Sequence, residues 1–131
     1  MVIDSSAILA IILAEPEQDR FIELLTSADT RQMSAASVLE TSMVLEARNG
    51  EAAGRELDWL LTRAQIDVVG VDREQIEVAR AAWRKYGKSR HRAALNFGDC
   101  FVYALAKVTG EPVLAKGGDF RLTDVALCDT A

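Results

Sequence analysis

The chain has 131 residues, of which half are hydrophobic and 27% are charged, and its 20 acidic against 15 basic side chains leave a formal net charge of −5. This composition is typical of one globular domain and excludes a disordered chain, so we expect a single domain over residues 1–131. The negative charge excludes nucleic-acid binding through a broad basic surface; contact with a polyanion would need a local basic patch or metal ions.

The first segment of the chain is an apolar run that ends at a carboxylate. The pair Val2 and Ile3 is followed by Asp4. Ser5 or Ser6 can then cap a helix whose apolar residues follow at once. A buried parallel strand followed directly by a helix places Asp4 at the carboxyl edge of a sheet, where open α/β sheets bind their ligands.

The remaining elements alternate between strands and helices. Helices are predicted at about 7–14, 16–28 with Pro16 in its first turn, 35–48, 51–63, 72–83 and 97–108. Strands are predicted at 32–34, 66–71, 112–115 and 125–128, and residues 86–96 are predicted to form a polar loop. This alternation predicts an α/β fold with a parallel sheet and helices on both of its faces.

Asp4 and Glu40 each have an ordinary structural explanation beside a functional one. Asp4 would stabilise a helix dipole by roughly 0.3–1 kcal/mol. A carboxylate at the end of a nearly all-apolar strand is nevertheless costly unless it is paired or bound to a cation. Glu40 completes a capping box if Ser37 caps its helix, whereas a cap at Ser34 places Glu40 about two turns in. The sequence leaves both caps open.

Asp99 and Asp119 also have two explanations each. Asn96 can cap the last helix and leave Asp99 in its first turn, but Gly98 permits close approach and the helix is apolar enough to belong to the core. Asp119 follows the glycines 117–118 and is either an ordinary turn residue or a further acid at the carboxyl edge.

Four acids from separated segments that all reach one edge favour a function over a role in stability. Carboxylates that share a site repel one another, and their pKa values rise unless a cation gathers them. Oxygen ligands select Mg²⁺ or Mn²⁺ over zinc, and the chain has no His/Cys cluster. The predicted chemistry is attack of water on a phosphodiester, in which the metal activates the water and offsets charge on the leaving oxygen.

A basic run lies just before Asp99 in the chain. Residues 84–92 contain the one His, no acid, and five basic side chains: Arg84, Lys85, Lys88, Arg90 and Arg92. A solvated loop is the ordinary explanation. The run's place beside a candidate catalytic acid favours contact with an RNA or DNA backbone, since Arg and Lys hold phosphates without reading bases. His91 is then a phosphate or structural contact rather than a general base.

The cysteines and the apolar segments indicate in which cellular compartment the protein is expected. Cys100 and Cys128 have apolar neighbours and no metal-site spacing, which favours free thiols in a reducing compartment, with a disulfide as the alternative. The apolar stretch 7–14 is too short to span a bilayer and follows no basic segment. We expect a cytoplasmic protein without a membrane partner.

The segments 2–7, 34–40, 97–106 and 116–120 resemble the PIN-domain ribonucleases, and in particular the VapC-type toxins of bacterial toxin–antitoxin pairs. The resemblance implies a three-layer α/β/α domain with a short, mainly parallel sheet. It also implies an endoribonuclease that depends on Mg²⁺ or Mn²⁺, forms homodimers, and is inhibited by a cognate VapB-type antitoxin.

The resemblance further implies roles for individual residues. Asp4 and Asp99 would be the principal metal ligands, Glu40 another acid of the site, and Ser6 a group that orients a carboxylate or a metal-bound water. Relatives often carry an acid where this chain has glycine at 117 or 118. Asp119 is therefore our choice for the fourth acid, and Asp124 is its substitute.

Two other classes of function compete with the nuclease. Phosphotransfer through an aspartyl phosphate would use Asp4 as nucleophile, but aspartate-based phosphatases need an acid where this chain has Ser6. A receiver domain would need paired acids at the end of the first strand, where Asp4 stands alone, and an acid after the middle strand, which Asp72 could supply. A non-catalytic binding module would act only through its partner. The presence of all four acids argues against that loss of activity.

Overall fold

The computed structural model describes residues 1–128. Within that span four strands form one sheet: β1 (Val2–Ile3), β2 (Gln32–Ser34), β3 (Asp67–Val69) and β4 (Val113–Leu114). The helices are α1 (Ser5–Ile12), α2 (Gln18–Ser27), α3 (Ala35–Asn49), α4 (Glu51–Arg63), α5 (Arg73–Tyr86) and α6 (Phe97–Thr109), and a 3-10 turn covers Phe120–Leu122.

The strands are parallel and lie in the order β3-β2-β1-β4. Val2 of β1 pairs with Gln32 of β2 on one side and with Val113 of β4 on the other. All four carboxyl ends therefore face the same edge of the sheet. Helices α1 and α3 begin directly after β1 and β2, so their N-termini meet at that edge.

Alternate residues of β1 and β4 enter two separate hydrophobic cores, because successive side chains of a strand point to opposite faces. Ile3 and Leu114 pack into the core that includes residues of α1, α2 and α4. Val2 and Val113 pack into the core that includes residues of α5 and α6. Helices thus cover both faces of the sheet, which confirms the predicted three-layer α/β/α fold.

Two helix starts differ from the prediction. Asp4 itself caps α1: its backbone is extended and its side chain accepts a hydrogen bond from the Ser6 amide, so neither Ser5 nor Ser6 is the cap. Pro16 lies before α2, whose N-cap is Glu17, and the prediction that it occupies the first turn was wrong. Both errors arise because several adjacent residues suit a helix start and only tertiary packing selects one.

The strand predictions were right in position, but those at 66–71, 112–115 and 125–128 were too long. The third strand covers three residues at the sheet edge, where Asp67 and Val68 are exposed. The predicted strand 125–128 is a single parallel bridge between Val113 and Leu127. Since β4 itself is only two residues long, it offers no ladder on which a longer strand could pair.

The segment predicted as a polar loop is ordered by its own backbone. Tyr86 is the last residue of α5, and Gly87 and Leu95 bridge across the loop. Ala93 and Leu95 are fully buried, so two apolar anchors fix a loop that is otherwise polar. Both cysteines are free thiols, as predicted. Among the helices of residues 1–128, none is long and apolar enough to cross a membrane.

Candidate active site

Asp4 lies at the end of the central strand and is 8% exposed. Its Oδ2 accepts hydrogen bonds from the amide of Ser6 at 3.0 Å and from the hydroxyl of Ser6 at 2.5 Å. The same hydroxyl accepts a hydrogen bond from the Lys116 amide at 2.9 Å. Ser6 therefore orients the Asp4 carboxylate and ties it to the segment that follows β4, which carries Asp119.

Glu40 reaches the same edge from α3. Ser34 caps that helix through its hydroxyl, which accepts from the Ala36 amide at 3.3 Å, so Glu40 is not part of a capping box. The Ser5 hydroxyl donates a hydrogen bond of 2.8 Å to Glu40 Oε1. Of the two caps that the sequence left open, the structure has the one that frees Glu40 for a role at the sheet edge.

Gly98 provides the space that the Glu40 carboxylate occupies. A methyl group built on Gly98 would lie 2.8 Å from Glu40 Oε1 and 2.9 Å from Cδ, which is closer than real contacts allow. The predicted close approach at Gly98 is thus present, and its neighbour is Glu40. Helix α3 and the first turn of α6 meet at this point.

Asp99 is both a capping residue and a member of the acid cluster. Its Oδ2 accepts from the Asn96 amide at 3.0 Å, and Asn96 Oδ1 accepts from the Asp99 amide at 2.9 Å, which completes a capping box. Burial, together with the smaller effects of the charges of Asp4, Asp119 and Glu40, raises the pKa of Asp99 to about 6, although the hydrogen bond from the Asn96 amide opposes the rise. The two explanations that the sequence offered for Asp99 are therefore compatible.

The four carboxylates lie within electrostatic reach of one another. Burial also raises the pKa of Asp4, against the hydrogen bonds from Ser6, and the charge of Glu40 adds to that rise. Within residues 1–128 none of Asp4, Glu40, Asp99 and Asp119 forms an ion pair with a basic side chain. The cluster is thus a concentration of negative charge that the described part of the protein leaves uncompensated.

Asp119 and Asp124 differ in what surrounds them. Asp119 is exposed in the turn after β4, and its charge acts on Asp99. Asp124 accepts hydrogen bonds from the Tyr103 hydroxyl at 2.6 Å and from Lys107 Nζ at 3.0 Å, and these partners lower its pKa. Asp124 is therefore engaged in a local network, which favours Asp119 as the fourth acid.

The donor set suits a hard divalent cation, although the side chains stand apart. Among residues 1–128, no three His, Cys, Asp or Glu side chains lie close enough together to enclose a metal ion. The cluster nevertheless offers only oxygen donors, and the pKa values of Asp4 and Asp99 are raised chiefly by burial and to a lesser extent by the neighbouring carboxylates. All-oxygen donor sets of this kind are typical of sites for hard divalent cations.

The basic run divides into residues that line a cavity and residues that do not. Helices α5 and α6 enclose a cavity of about 730 Å³ that Arg84, Lys88 and Arg90 help to line. We call it the α5–α6 groove. Lys85 lies over the Tyr86 ring at 5.0 Å, and Arg92 is exposed; neither lines the groove. The first turn of α6, which carries Asp99, borders the groove through Asn96 and Phe97.

His91 and Lys116 have structural partners. His91 Nδ1 accepts a hydrogen bond of 3.0 Å from the Ala93 amide, and its ring contacts Tyr86 edge-on at 5.1 Å. This fixes the loop after α5 and favours the structural role over a general base. Lys116 Nζ pairs with Glu15 at 3.1 Å and with Glu17 at 3.6 Å rather than with the acid cluster.

Ser5 is a site residue that the sequence did not reveal. It was considered only as a helix cap, yet its hydroxyl holds Glu40, which is 35 residues away in the chain. That contact depends on how α1 packs against α3, and no local pattern encodes this packing. Each of the first two residues of α1 thus positions a carboxylate: Ser5 that of Glu40 and Ser6 that of Asp4.

Comparison with known proteins identifies close relatives by sequence. A family model described as the PIN domain matches residues 1–126. Ribonuclease VapC30 of Mycobacterium tuberculosis is 55% identical over 126 residues, which cover 96% of this chain and 96% of that protein. Ribonuclease VapC of Mycolicibacterium smegmatis is 56% identical over 126 residues, which cover 96% of this chain and 98% of that protein.

Solved structures share the fold at much lower sequence identity. Mycobacterium tuberculosis VapC20, described as a toxin that cleaves the sarcin–ricin loop, superposes with a TM-score of 0.77 at 20% identity and covers 95% of each chain. A chain of VapBC2 from Rickettsia felis, solved bound to a DNA fragment from its promoter, has a TM-score of 0.76 at 13% identity, over 96% of this chain and 95% of that one. These two likenesses support the α/β/α architecture.

Proposed function

This chain belongs to the PIN-domain family and within it to the VapC ribonucleases, as its motifs predicted. On that premise we propose that it is a metal-dependent endoribonuclease that acts as the toxin of a toxin–antitoxin pair. The observation that carries the proposal is the cluster of Asp4, Glu40, Asp99 and Asp119, four uncompensated acids from separate segments at the carboxyl edge of the sheet. Relatives with more than half of their residues in common are named as ribonucleases.

In this proposal Asp4 and Asp99 are the principal ligands of Mg²⁺ or Mn²⁺. Bound there, the ion supplies Lewis acidity for attack of water on a phosphodiester of RNA. Ser6 holds the Asp4 carboxylate in place through its amide and hydroxyl. Asp119 completes the acid set from the turn after β4. The amide of Asn96 holds Asp99 at the start of α6.

Glu40 is the group that we assign to the attacking water. Ser5 occupies its Oε1, and Gly98 leaves room for the carboxylate against α6. Oε2 is then available to accept a hydrogen bond from the water and to take its proton during attack. The hydrogen bond from Ser5 fixes the direction in which Oε2 points.

The direct test is cleavage of a labelled RNA by the purified protein at several concentrations of Mg²⁺ and Mn²⁺. We expect cleavage that stops on addition of EDTA and returns when the divalent ion is restored. Cleavage that persists in EDTA would contradict the metal dependence, and absence of cleavage of cellular RNA with either ion would contradict the nuclease.

Replacement of Gly98 by Ala is expected to reduce kcat by roughly 10–100-fold, the range typical for loss of a group that orients a site residue. The added methyl displaces the Glu40 carboxylate, which is the flexible end of a side chain and moves without unfolding the helix. Stability should be unchanged or slightly higher, because Ala is the better helix former by about 1 kcal/mol. Turnover and thermal unfolding measure the two effects.

The control for that variant is Gly70→Ala, since a methyl group there meets no atom within 4 Å. It should cleave RNA at the rate of the unmodified protein. If Gly98→Ala also retains full kcat, the position of Glu40 does not matter for cleavage, and its assignment to the attacking water is wrong.

Neutralising the groove cations Arg84, Lys88 and Arg90 with Gln is expected to raise KM and to leave kcat nearly unchanged. These side chains line the α5–α6 groove and form no ion pair within residues 1–128. Loss of three phosphate contacts should flatten the plot of log affinity against log salt by about 2, since each contact contributes about 0.7 for a single strand.

The matched control removes three positive charges that do not line the groove, through Arg48→Gln, Arg55→Gln and Arg73→Gln. It changes the net charge equally and should leave the salt dependence as it was. An unchanged salt dependence in the groove variant would show that the basic run does not contact RNA. Lys85 and Arg92, which the sequence also predicted to bind RNA, stay a prediction that single substitutions would test.

The partners follow from the family in the same way. One structural neighbour is a VapBC complex and another is described as a toxin–antitoxin complex from Klebsiella pneumoniae. We propose that a VapB-type antitoxin binds and inhibits this protein in the cytoplasm. A homodimer stays a prediction that sedimentation of the purified chain would check.

Phosphotransfer through an aspartyl phosphate has no support from the structure. Asp72, the acid that a receiver domain would have needed after the middle strand, caps α5 by accepting from the Gln75 amide at 2.9 Å. Ser6 orients Asp4 where an aspartate-based phosphatase would have its second acid.

A further inference from the structure

One face of α6 carries three polar side chains in a row: Asp99, Tyr103 and Lys107. Residues four positions apart on a helix lie on the same face, about one turn from each other. Asp99 belongs to the acid cluster, whereas Tyr103 and Lys107 lie further along the helix and both donate hydrogen bonds to Asp124. The row therefore links the acid cluster to the residue that the sequence offered as a substitute for the fourth acid.

The segment 119–124, which we call the acid turn, lies along this row. At its first residue, the charge of Asp119 reaches Asp99 and contributes to the raised pKa of that carboxyl. At its last residue, the carboxylate of Asp124 accepts a hydrogen bond of 2.6 Å from the Tyr103 hydroxyl. The two ends of one short segment thus meet successive turns of the same helix.

Hydrogen bonds along its backbone make the acid turn a single rigid piece. Three successive amides donate to the carbonyls three residues earlier, at 3.1 or 3.2 Å: those of Arg121, Leu122 and Thr123. The Thr123 hydroxyl also donates to the Phe120 carbonyl at 2.7 Å and accepts from the Val125 amide at 3.4 Å. A displacement at the end of the turn that carries Asp124 is therefore transmitted to Asp119.

The position of Asp119 is not set by its own side chain or by the segment before it. The Asp119 carboxylate is exposed and makes no capping hydrogen bond to the turn. Gly117, with a φ of +90°, and Gly118 precede it, and an added methyl group on either would meet no atom of the described residues within 4 Å. This link is free to bend. The direction in which Asp119 points must therefore be set from the other end of the turn.

Two anchors hold that end. Phe120 is buried in the core that includes residues of α6. One buried side chain fixes a single point of a rigid turn and still allows rotation about that point. The hydrogen bond from the buried Tyr103 to Asp124 supplies the second point, and at 2.6 Å it is of the strong, charge-assisted kind. Together the two anchors leave the acid turn one orientation against α6.

We infer that Tyr103 and Asp124 are positioning residues: their hydrogen bond fixes the acid turn against α6 and so keeps Asp119 within electrostatic reach of Asp99, where the divalent ion binds. The inference rests on the proposed nuclease function and gives Asp124 a part in it other than that of a metal ligand. The ion pair between Asp124 and Lys107 is nearly half exposed on both sides and contributes little.

Tyr103→Phe is the main test, because it removes the hydroxyl and keeps the buried ring. Asp124 is nearly half exposed, so water takes the place of the hydroxyl and no buried polar atom is left unpaired. We expect the dissociation constant for Mn²⁺, measured by calorimetry without RNA, to rise roughly tenfold, within the range typical for loss of a group that orients a metal ligand.

The matched control is Tyr86→Phe, which removes the same atom from a neighbouring ring. Tyr86 is buried in the same core, with its ring centre 5.8 Å from that of Tyr103. Its hydroxyl interacts with Lys85 and forms no hydrogen bond with Asp124, whose side-chain partners in the described chain are Tyr103 and Lys107. The control should bind Mn²⁺ as the unmodified protein does.

Two substitutions of Asp124 separate positioning from coordination of the ion. Asp124→Asn keeps an oxygen that accepts from Tyr103, so it should bind Mn²⁺ nearly as tightly as the unmodified protein. Asp124→Ala should weaken binding as Tyr103→Phe does. If Asp124 were itself a ligand, its Asn variant would bind as weakly as its Ala variant and Tyr103→Phe would bind normally. That pattern would overturn the inference.

Asp119→Asn shows whether the effect of Tyr103 passes through Asp119. The double variant Asp119→Asn/Tyr103→Phe should have the same dissociation constant for Mn²⁺ as Asp119→Asn alone, because the turn then has no carboxylate to present. Substitutions at independent sites have additive effects on the binding free energy. Fully additive losses would therefore show that Tyr103 does not act through Asp119, and the inference would fail.

A measurement without metal checks the acid turn directly. Arg121 is exposed in the turn and is a site for trypsin. In EDTA, cleavage after Arg121, followed by mass spectrometry, should be faster in Tyr103→Phe than in Tyr86→Phe or the unmodified protein. An unchanged rate, or an unchanged affinity of Tyr103→Phe for Mn²⁺, would overturn the inference. Asp99→Asn would still weaken Mn²⁺ binding in that case, whereas an unmodified protein that binds no Mn²⁺ would overturn the proposed function as well.

Discussion

Asp99→Asn and Asp4→Asn are each expected to reduce RNA cleavage by at least about a hundredfold. Loss of a group that merely orients a metal ligand costs roughly 10–100-fold in activity or affinity, and loss of a principal ligand should cost more. An amide keeps the shape of the carboxylate and removes its charge, so the substitution tests charge at the site. Rates of cleavage at saturating RNA and divalent ion give the measurement.

The fold should survive both substitutions. In Asp99→Asn the new side-chain oxygen still accepts from the Asn96 amide, and in Asp4→Asn it still accepts from the Ser6 amide. Each change also removes one charge from a cluster whose members raise one another's pKa. Thermal unfolding of the metal-free variants should therefore occur at the same temperature as in the unmodified protein, or higher.

Asp58→Asn serves as the control, because Asp58 is exposed on α4 and removal of its charge should not change the rate. A non-catalytic module would behave differently: its cellular effect would persist in both site variants. Retention of cleavage in Asp99→Asn would remove the central assignment, since no other acid of the described chain occupies the start of α6.

The site residues that the sequence predicted are those whose signal is local. Asp4 stands where an apolar strand ends and a helix begins, and both elements are encoded by neighbouring residues. Gly98 beside Asp99 predicted a close approach without naming the partner, which the structure identifies as Glu40. Patterns among neighbouring residues thus predicted the acids that the structure brings within electrostatic reach of one another.

The features that the sequence missed depend on packing between distant segments. The hydrogen bond from Ser5 to Glu40 requires α1 to lie against α3. The α5–α6 groove forms where two helices from different parts of the chain pack together, and Trp83 and Phe97 line it and stay exposed. Burial does not distinguish the two candidate caps of α3, since Ser34 and Ser37 are both buried; only the backbone of the folded chain identifies Ser34 as the cap.

Divalent ions are expected to stabilise the folded protein strongly at neutral pH and much less at pH 5. Ligand carboxylates must be deprotonated to bind a metal, so protons and the ion compete for the same cluster. The pKa of Asp99 is about 6 in the folded protein, and that of Asp4 is also raised. At 100 times its dissociation constant, an ion adds about 2.7 kcal/mol to the free energy of unfolding, which corresponds to a rise in Tm of roughly 10 °C for a chain of this size.

The stability of the metal-free protein should instead decrease as the pH rises. Because folding raises the pKa of Asp99 from 3.8 to about 6, the folded state binds its proton more tightly than the unfolded state does. This contribution to stability is complete below pH 3.8 and is lost as pH rises through 6. Without metal, stability should therefore fall across that window, and Mn²⁺ should restore it only above the window.

Asp99→Asn separates this group from every other titrating residue. The difference in Tm between the metal-free variant and the metal-free unmodified protein should grow from pH 4 to pH 7, because only the unmodified protein carries the charge that repels Asp4, Glu40 and Asp119. Addition of Mn²⁺ should then raise the Tm of the unmodified protein at pH 7.5 and leave the variant nearly unmoved. An equal rise in both proteins, or a rise as large at pH 5 as at pH 7.5, would show that the ion binds elsewhere, and the acid cluster would lose its role as a metal site.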